Sequence, residues 1–218
     1  MKKRKNIITV AIDSPAAAGA GTQAKLISKN YNLFYLDTGK IYRYIGKLKL
    51  DNKKKFTYSL IKKKINKIRL NNLKKKSLLS DEVALSASEI AKDQRIRLIV
   101  HKFQQRCAYN PPKKYKGSVL DGRDIITIQM KDAMFKFYIT ASLKVRARRR
   151  FNEYLKLSKK ITYNDVLKSL RNRDKSDKER KYGPLKKTKD SILINTTKLS
   201  KKASFKKIKA IMDKKLNY

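Results

Sequence analysis

An apolar run, Ile7–Ile12, ends in Asp13 and opens into SPAAAGAG, after which Thr22 starts a segment with helical spacing of its apolar residues. A strand that stops at a carboxylate, a loop of small residues and a helix leave the chain little freedom. The backbone N–H groups of the loop and of the helix N-terminus converge and make an anion site. Gly19-Ala20-Gly21-Thr22-Gln23-Ala24 fits G-x-G-x-x-A, the dinucleotide fingerprint, with Asp37 at the end of a second strand. In that arrangement the glycines follow the strand almost at once. Here Ser14–Ala18 intervene and give the length needed to wrap a phosphate, as in G-x-x-x-x-G-K-[ST]. In that second frame Ala20 stands at the lysine position, and Thr22 supplies the hydroxyl that meets magnesium. A small-residue turn without a ligand is a third reading. The loop alone leaves all three open.

The rest of the chain sets the fold class. Short apolar runs at Leu33–Leu36, Val119–Leu120, Phe135–Thr140 and Ser191–Asn195 read as strands. Helical patterns follow Thr22, run over Ile41–Leu50 and Ser142–Leu157, and close the chain at Ser200–Leu216. Strands alternating with helices predict an α/β chain, a parallel sheet covered on both faces, in a single domain. The Lys-rich stretch 51–80 and the charged stretch 158–190 fall between core elements and are expected to be mobile.

Composition removes several function classes. No apolar run approaches the roughly 20 residues that span a membrane, and MKKRK reads as a basic leader into the first strand. Cys107 and His101 are the only residues of their kinds, which excludes an internal disulfide and a Cys/His zinc site. Both are read as ordinary helix residues, and the cysteine count fits a reducing, cytoplasmic setting. The net charge of +41 suggests affinity for polyanions. Its lysines are spread along the whole chain, however, without helix–turn–helix or RNP-type motifs. Solvated faces with nonspecific anion affinity are expected, and specific nucleic-acid binding is not.

Further stretches decide between the readings of the loop, and together they resemble the bacterial cytidylate kinases. That family's loop reads much like D-G-P-A-A-S-G-K-G-T, against DSPAAAGAGT here. Its L-D-T-G-A-x-Y-R is matched by Leu36 to Arg43, and its S-x-V-A-x-x-x-x-V-R by Ser88 to Arg97, before a Gln105-Arg106 pair. DGRD stands intact at 121–124, and DAMFKFYITAS and Arg146-Ala147-Arg148-Arg149-Arg150 follow in order. R-D-x-x-D-x-x-R and P-L match Arg173, Asp174, Asp177, Arg180 and Pro184-Leu185. The ordered set covers about residues 7–200.

The resemblance implies a three-layer P-loop kinase, with a monophosphate-binding insert near 40–105 and a lid near 155–187. It would phosphorylate CMP or dCMP from ATP with Mg²⁺, as a monomer. Ser14, Pro15, Ala16, Ala17, Ala18, Gly19, Ala20, Gly21 and Thr22 would hold ATP, with Thr22 on the metal. Thr38, Arg43, Ser88, Arg97, Arg123, Asp124, Asp177 and Arg180 would hold the monophosphate, with Ser88, Arg97 and Asp124 on the cytosine side. Arg173, Arg180 and Arg123 would act on the transferring group. Thr38 could instead cap a helix, RDKSDKER could be a solvated run of i,i+4 pairs, and Asp121 could simply end a strand. The run 146–150 is given no role. Three departures stand out: Ser14 and Ile126 where the family has glycine, and Ala20, which removes a point charge from the phosphates. Lys40 or Lys25 is the expected source of any compensation.

Overall fold

A computed structural model describes residues 6–157 and 160–217; the basic leader, on residues 1–5, and part of the expected lid, 158–159, lie outside them. Strands β1 (Ile8–Asp13), β2 (Leu33–Asp37), β3 (Gly117–Gly122), β4 (Phe135–Thr140) and β5 (Ile192–Asn195) form one sheet in the order β2-β3-β1-β4-β5. Every neighbouring pair is parallel. β1 is central and buried on both faces, which is why it reads as a continuous apolar run. Its register places Asp13 beside Gly122 and Tyr138, and β2 places Asp37 beside Asp121. Three carboxylates therefore end strands at one edge. The chain leaves β1 for the β2–β3 half of the sheet and later builds the β4–β5 half, so a crevice opens at that edge.

One face of the sheet carries helices α1 (Ala20–Tyr31) and α8 (Lys201–Leu216). α1 buries Ala20, Gln23, Ala24, Ile27 and Tyr31, a stripe at helical spacing, against Val10, Ile12 and α8. The Tyr31 hydroxyl ties the two helices by donating to Asp213 at 2.7 Å. The other face is covered by α2 (Gly39–Asp51), α3 (Tyr58–Asn66), α4 (Asp81–Ile90) and α5 (Gln94–Tyr109), packed on Ala11, Phe34, Leu36 and Leu120.

The two stretches expected to be mobile connectors are largely helical. In 51–80, Thr57 caps α3 by accepting from the Leu60 amide, and Ile61 and Ile65 bury one narrow stripe. In 158–190, Thr162 and Asp165 form a capping box for α7 (Tyr163–Glu179). Val166 and Leu170 of α7 pack on Ala147 of α6 (Leu143–Leu155), with Ala16 of the first loop closing the same small core.

Candidate active site

The residues expected to hold ATP, the monophosphate and the transferring group, together with Lys25 and Lys40, line one cleft of about 880 Å³ at the carboxyl edge of the sheet. Its first wall is the loop between β1 and α1. The Ser14 amide still follows β1, donating to Gly122 O at 3.2 Å. Ser14 is absent from the positive-φ positions; the turn is made by Ala17 (φ 60°) and Gly19 (φ 94°) instead. Ser in place of Gly at 14 therefore carries no backbone strain. Ala17 does, at about 1–2 kcal/mol for a residue with a Cβ. Gly21 approaches the floor closely, since a Cβ there would lie 3.4 Å from both Asp121 Oδ2 and the Tyr35 hydroxyl.

Ala20 opens α1 and is only 5% exposed, in the apolar cluster with Ala18, Ala24 and Ile27. The loop from Asp13 to Thr22 contains no basic side chain. Its fixed positive potential comes from the backbone and the helix N-terminus alone.

The arginine run 146–150, which carried no role in the sequence reading, fastens this loop from behind. Arg146 is buried; it donates to Ala16 O at 3.2 Å and forms a two-pronged pair with Asp174 of α7, at 3.1 and 2.6 Å. Arg149 donates to Ala18 O at 3.5 Å and to Thr196 Oγ1 and O at 3.0 and 2.8 Å. Spacing puts 146, 149 and 150 on adjoining faces of one helix, but it does not show which of them turns to the loop.

Beneath the loop lie two buried carboxyls. Asp13 accepts from the amides of Ile125 and Ile126 at 2.8 and 2.9 Å, and burial, aided by Asp124, raises its pKa to about 7. Ile126, in the family's glycine position, is thus an amide donor in the π-helical turn Ile125–Gln129. Burial, followed by the charge of Asp37, raises the Asp121 pKa to about 8. Asp121 Oδ1 is buried without a hydrogen-bond partner among the described residues. No cluster of three or more acidic, His or Cys ligands exists among those residues. A divalent cation held largely by phosphate oxygens and water needs only a hydroxyl and a carboxylate from the protein. Thr22 and the unpaired Asp121 oxygen suit that requirement.

The second wall is built around DGRD. Arg97 of α5, 7% exposed, forms a short ion pair with Asp124 and donates to Ala91 O at 3.0 Å. Gln129 Nε2 donates to the same Asp124 oxygen at 3.1 Å, and the Tyr42 ring lies 5.8 Å from the Arg97 guanidinium. Arg123 Nε donates to Asp177 at 2.8 Å. Asp177 also faces Arg180 at 3.4 Å and Arg173 at 3.9 Å. Burial would raise the Asp177 carboxyl, but Arg123, Arg173 and Arg180 together hold it below the usual carboxylate range. Within RDKSDKER, Arg173, Ser176, Asp177 and Arg180 accordingly line the cleft, while Lys175, Lys178 and Glu179 are solvated. Burial and then the nearby Arg123 push Arg173 down to about 10, with Arg43 and Arg150 adding to the repulsion.

Arg43, on α2, donates to Leu78 O at 2.8 Å and holds the start of α4 near the cleft. Ser88 lines the cleft from α4. Thr38 occupies the position before α2 but makes no side-chain cap; its hydroxyl donates to Asp121 O at 2.7 Å. After α7, Arg180 Nε donates to Gly183 O at 2.6 Å, and Gly183 (φ 60°) presses on the Arg97–Asp124 pair so closely that a Cβ would sit 2.2 Å from Arg97 Nη2. That turn needs glycine on both counts. Arg180 Nη2 and the Tyr42 hydroxyl remain buried without partners among the described residues, both beside that pair. Both residues line the cleft, and buried polar atoms without partners are uncommon in a settled core.

No described helix is long and apolar enough to cross a membrane. Comparison with known proteins agrees with the geometry. The family description "Cytidylate kinase" matches residues 10–214. The chain is similar to a cytidylate kinase of Bartonella henselae, 40% identical over 94% of each chain. It is also similar to one of Clostridium botulinum, 36% identical over 95% of this chain and 98% of that one. Among solved structures, an uncharacterised protein from Eubacterium ventriosum shares the fold, with a TM-score of 0.56 at 17% identity over 94% of this chain and 98% of that one. The α/β architecture with its loop between β1 and α1 is that of a P-loop kinase.

Proposed function

The chain belongs to the cytidylate kinase family, and from that premise we propose that it transfers the γ-phosphoryl group of ATP to CMP or dCMP. One observation supports this most. Arg43, Arg97, Arg123, Arg173 and Arg180, far apart in sequence, face one cleft that also holds the phosphate loop, with Asp124 and Asp177 as their main counter-charges. Like charges gather in this way only where an anion neutralises them.

A phosphate oxygen of the monophosphate attacks the γ-phosphorus in line, the bond to the β–γ bridging oxygen breaks, and the electron pair leaves with ADP. The acceptor oxygen is already anionic, so no Ser/His or Cys/His relay is needed. The work is positioning two repelling anions and neutralising charge as it spreads. In this proposal the amide N–H groups of residues 16–22 cradle the β- and γ-phosphates. Thr22 and Asp121 would hold the Mg²⁺, which shields the phosphate oxygens. Arg123, Arg173 and Arg180 meet the transferring group, Thr38 and Arg43 hold the acceptor phosphate, and Ser88, Arg97, Asp124 and Asp177 recognise the nucleoside. Helices α2–α5, as an insert near 40–105, and the 155–187 segment, as a lid, bring these groups together.

Ala20 favours one other reading, a catalytically impaired nucleotide- or nucleic-acid-binding protein that no longer turns over. Measuring ADP release with ATP, Mg²⁺ and each of CMP, dCMP, UMP and AMP separates the two. Turnover with CMP or dCMP above the others is expected; nucleotide binding without turnover would select the second reading.

A further inference from the structure

The missing charge at Ala20 leaves the donor phosphates facing a loop without a cation, and one arginine that the family motifs leave without an assignment is placed to make up for it. We infer that Arg150 of α6 contacts the β- and γ-phosphates of the donor and supplies the positive charge that Ala20 does not. This rests on the kinase reading above only for the identity of the donor.

Four observations carry it. First, α6 is fixed to the back of the loop, because Arg146 donates to Ala16 O at 3.2 Å and Arg149 to Ala18 O at 3.5 Å. Arg150 follows Arg146 by one helical turn, so its origin is held at a set distance from the loop. Second, Arg150 lines the cleft beside Glu153 and Arg173. Third, with Arg123 and Arg43 it is one of the cations whose charge lowers the Arg173 pKa against the pull of Asp177. Such a gathering of cations calls for a polyanion at the meeting point. Fourth, its present partner is weak. Glu153 pairs with it at 3.0 Å across one turn and is 59% exposed. An exposed pair of this kind contributes little and can be exchanged for phosphate, which a guanidinium meets with two parallel hydrogen bonds.

The two lysines considered from sequence are placed differently. Lys25, one turn beyond Gly21, acts on the Asp121 carboxylate and lowers its pKa. Lys40 rides on α2 with Tyr42 and Arg43 of the acceptor wall. α1 itself begins within the loop, so Lys25 is set apart by its action on Asp121 at the cleft floor, and Lys40 by its place on the acceptor wall.

The test is Arg150→Met, which keeps the aliphatic stem and removes the charge, with Ala20→Lys, the double variant and Lys40→Met. The expected result is a fall in kcat on the order of 10²–10³ in Arg150→Met. The KM for CMP should move less than about threefold and the unfolding midpoint should stay put; Ala20→Lys in the same chain should restore most of the loss. Affinity for inorganic tripolyphosphate, read by calorimetry, should fall about tenfold in Arg150→Met. This second readout holds even if the native chain does not phosphorylate CMP, which would sink the kinase reading alone. Unchanged kcat and unchanged tripolyphosphate affinity in Arg150→Met would overturn the assignment, and so would a larger loss in Lys40→Met. Should Ala20→Lys fail to fold, the tripolyphosphate arm with Arg150→Met still decides.

Discussion

Under the proposed function, the two walls of the cleft would meet the same kind of ligand with opposite means. The acceptor wall concentrates side-chain charge: Arg97 on Asp124, and Arg123, Arg173 and Arg180 around Asp177. The donor loop has no charged side chain between Asp13 and Thr22 and relies on its amides and on the start of α1. The acceptor wall is assembled from α2, α4, α5, α7 and the turn after β3, and ion pairs hold those parts in place. The donor wall is one continuous loop, held from below by Asp13 and from behind by Arg146 and Arg149. Charge pairing joins elements that converge on the acceptor wall from afar; at the donor loop it stays behind the backbone, in the Arg146–Asp174 pair.

If the comparison holds, the largest effect comes from the acceptor wall. Arg123→Met removes the guanidinium that joins DGRD to α7. Its kcat should fall by about 10³, the upper end for one preorganised charge contact, measured as ADP release with saturating CMP. A loss below about tenfold would mean that the wall's arginines are structural.

Next in size is the buried pair. Asp124→Asn keeps the shape but leaves Arg97 as a buried cation with neutral partners. Breaking one side of a buried pair typically costs about 3–5 kcal/mol. A fall of about 3 kcal/mol in urea-unfolding stability of the ligand-free protein is expected. CMP should recover part of it, because ligand binding stabilises the state it binds.

A smaller effect arises where the walls join. Asp13, under the donor loop, accepts the amides that follow Asp124. Its pKa is raised from 3.8 to about 7, first by burial. The folded state therefore binds this proton more tightly than the unfolded chain. The stability it contributes is complete below about pH 4 and is lost as pH rises through about 7, by up to a few kcal/mol. Asp13→Asn should flatten the slope of stability against pH between about pH 4 and 7, whatever it does to the absolute value. An unchanged slope would remove Asp13 as its source.

The sequence disclosed the two walls unequally. β1 and β4 were legible because buried parallel strands appear as apolar runs, and Asp13, Asp37 and Asp121 marked the strand ends. α3 and α7 were hidden because each buries only two apolar residues one turn apart, Ile61 and Ile65 or Val166 and Leu170, among lysines and arginines. β5 was found, yet Ile192 and Leu193 lie exposed on an edge strand, which an apolar run does not disclose. Within the site, DGRD and the α7 motif could be read from spacing. The buried role of Arg146 could not, because arginine is rarely interior and its partner Asp174 lies 28 residues away. Thr38 looked like a helix cap, and only the register of β2 on β3 shows why its hydroxyl turns to the Asp121 carbonyl instead.

The smallest expected effect sharpens the comparison most. Ala20→Lys adds to the donor loop the side-chain charge it lacks. The gain should be modest, about tenfold in kcat, because Arg150 already serves the same phosphates in the native chain and two cations on one anion do not add fully. It also carries a cost. Ala20 is nearly enclosed by Ala18, Ala24 and Ile27, so the lysine stem must leave along the loop and displace part of that contact. The unfolding midpoint should drop slightly while kcat rises, and the KM for CMP should not move, since the change lies on one wall only. A rise in kcat with an equal change in the KM for CMP would mean that the walls are coupled through the loop. No rise in either the native or the Arg150→Met background would mean that the amides of residues 16–22 and the acceptor arginines carry the donor phosphates without help from any cation at the loop.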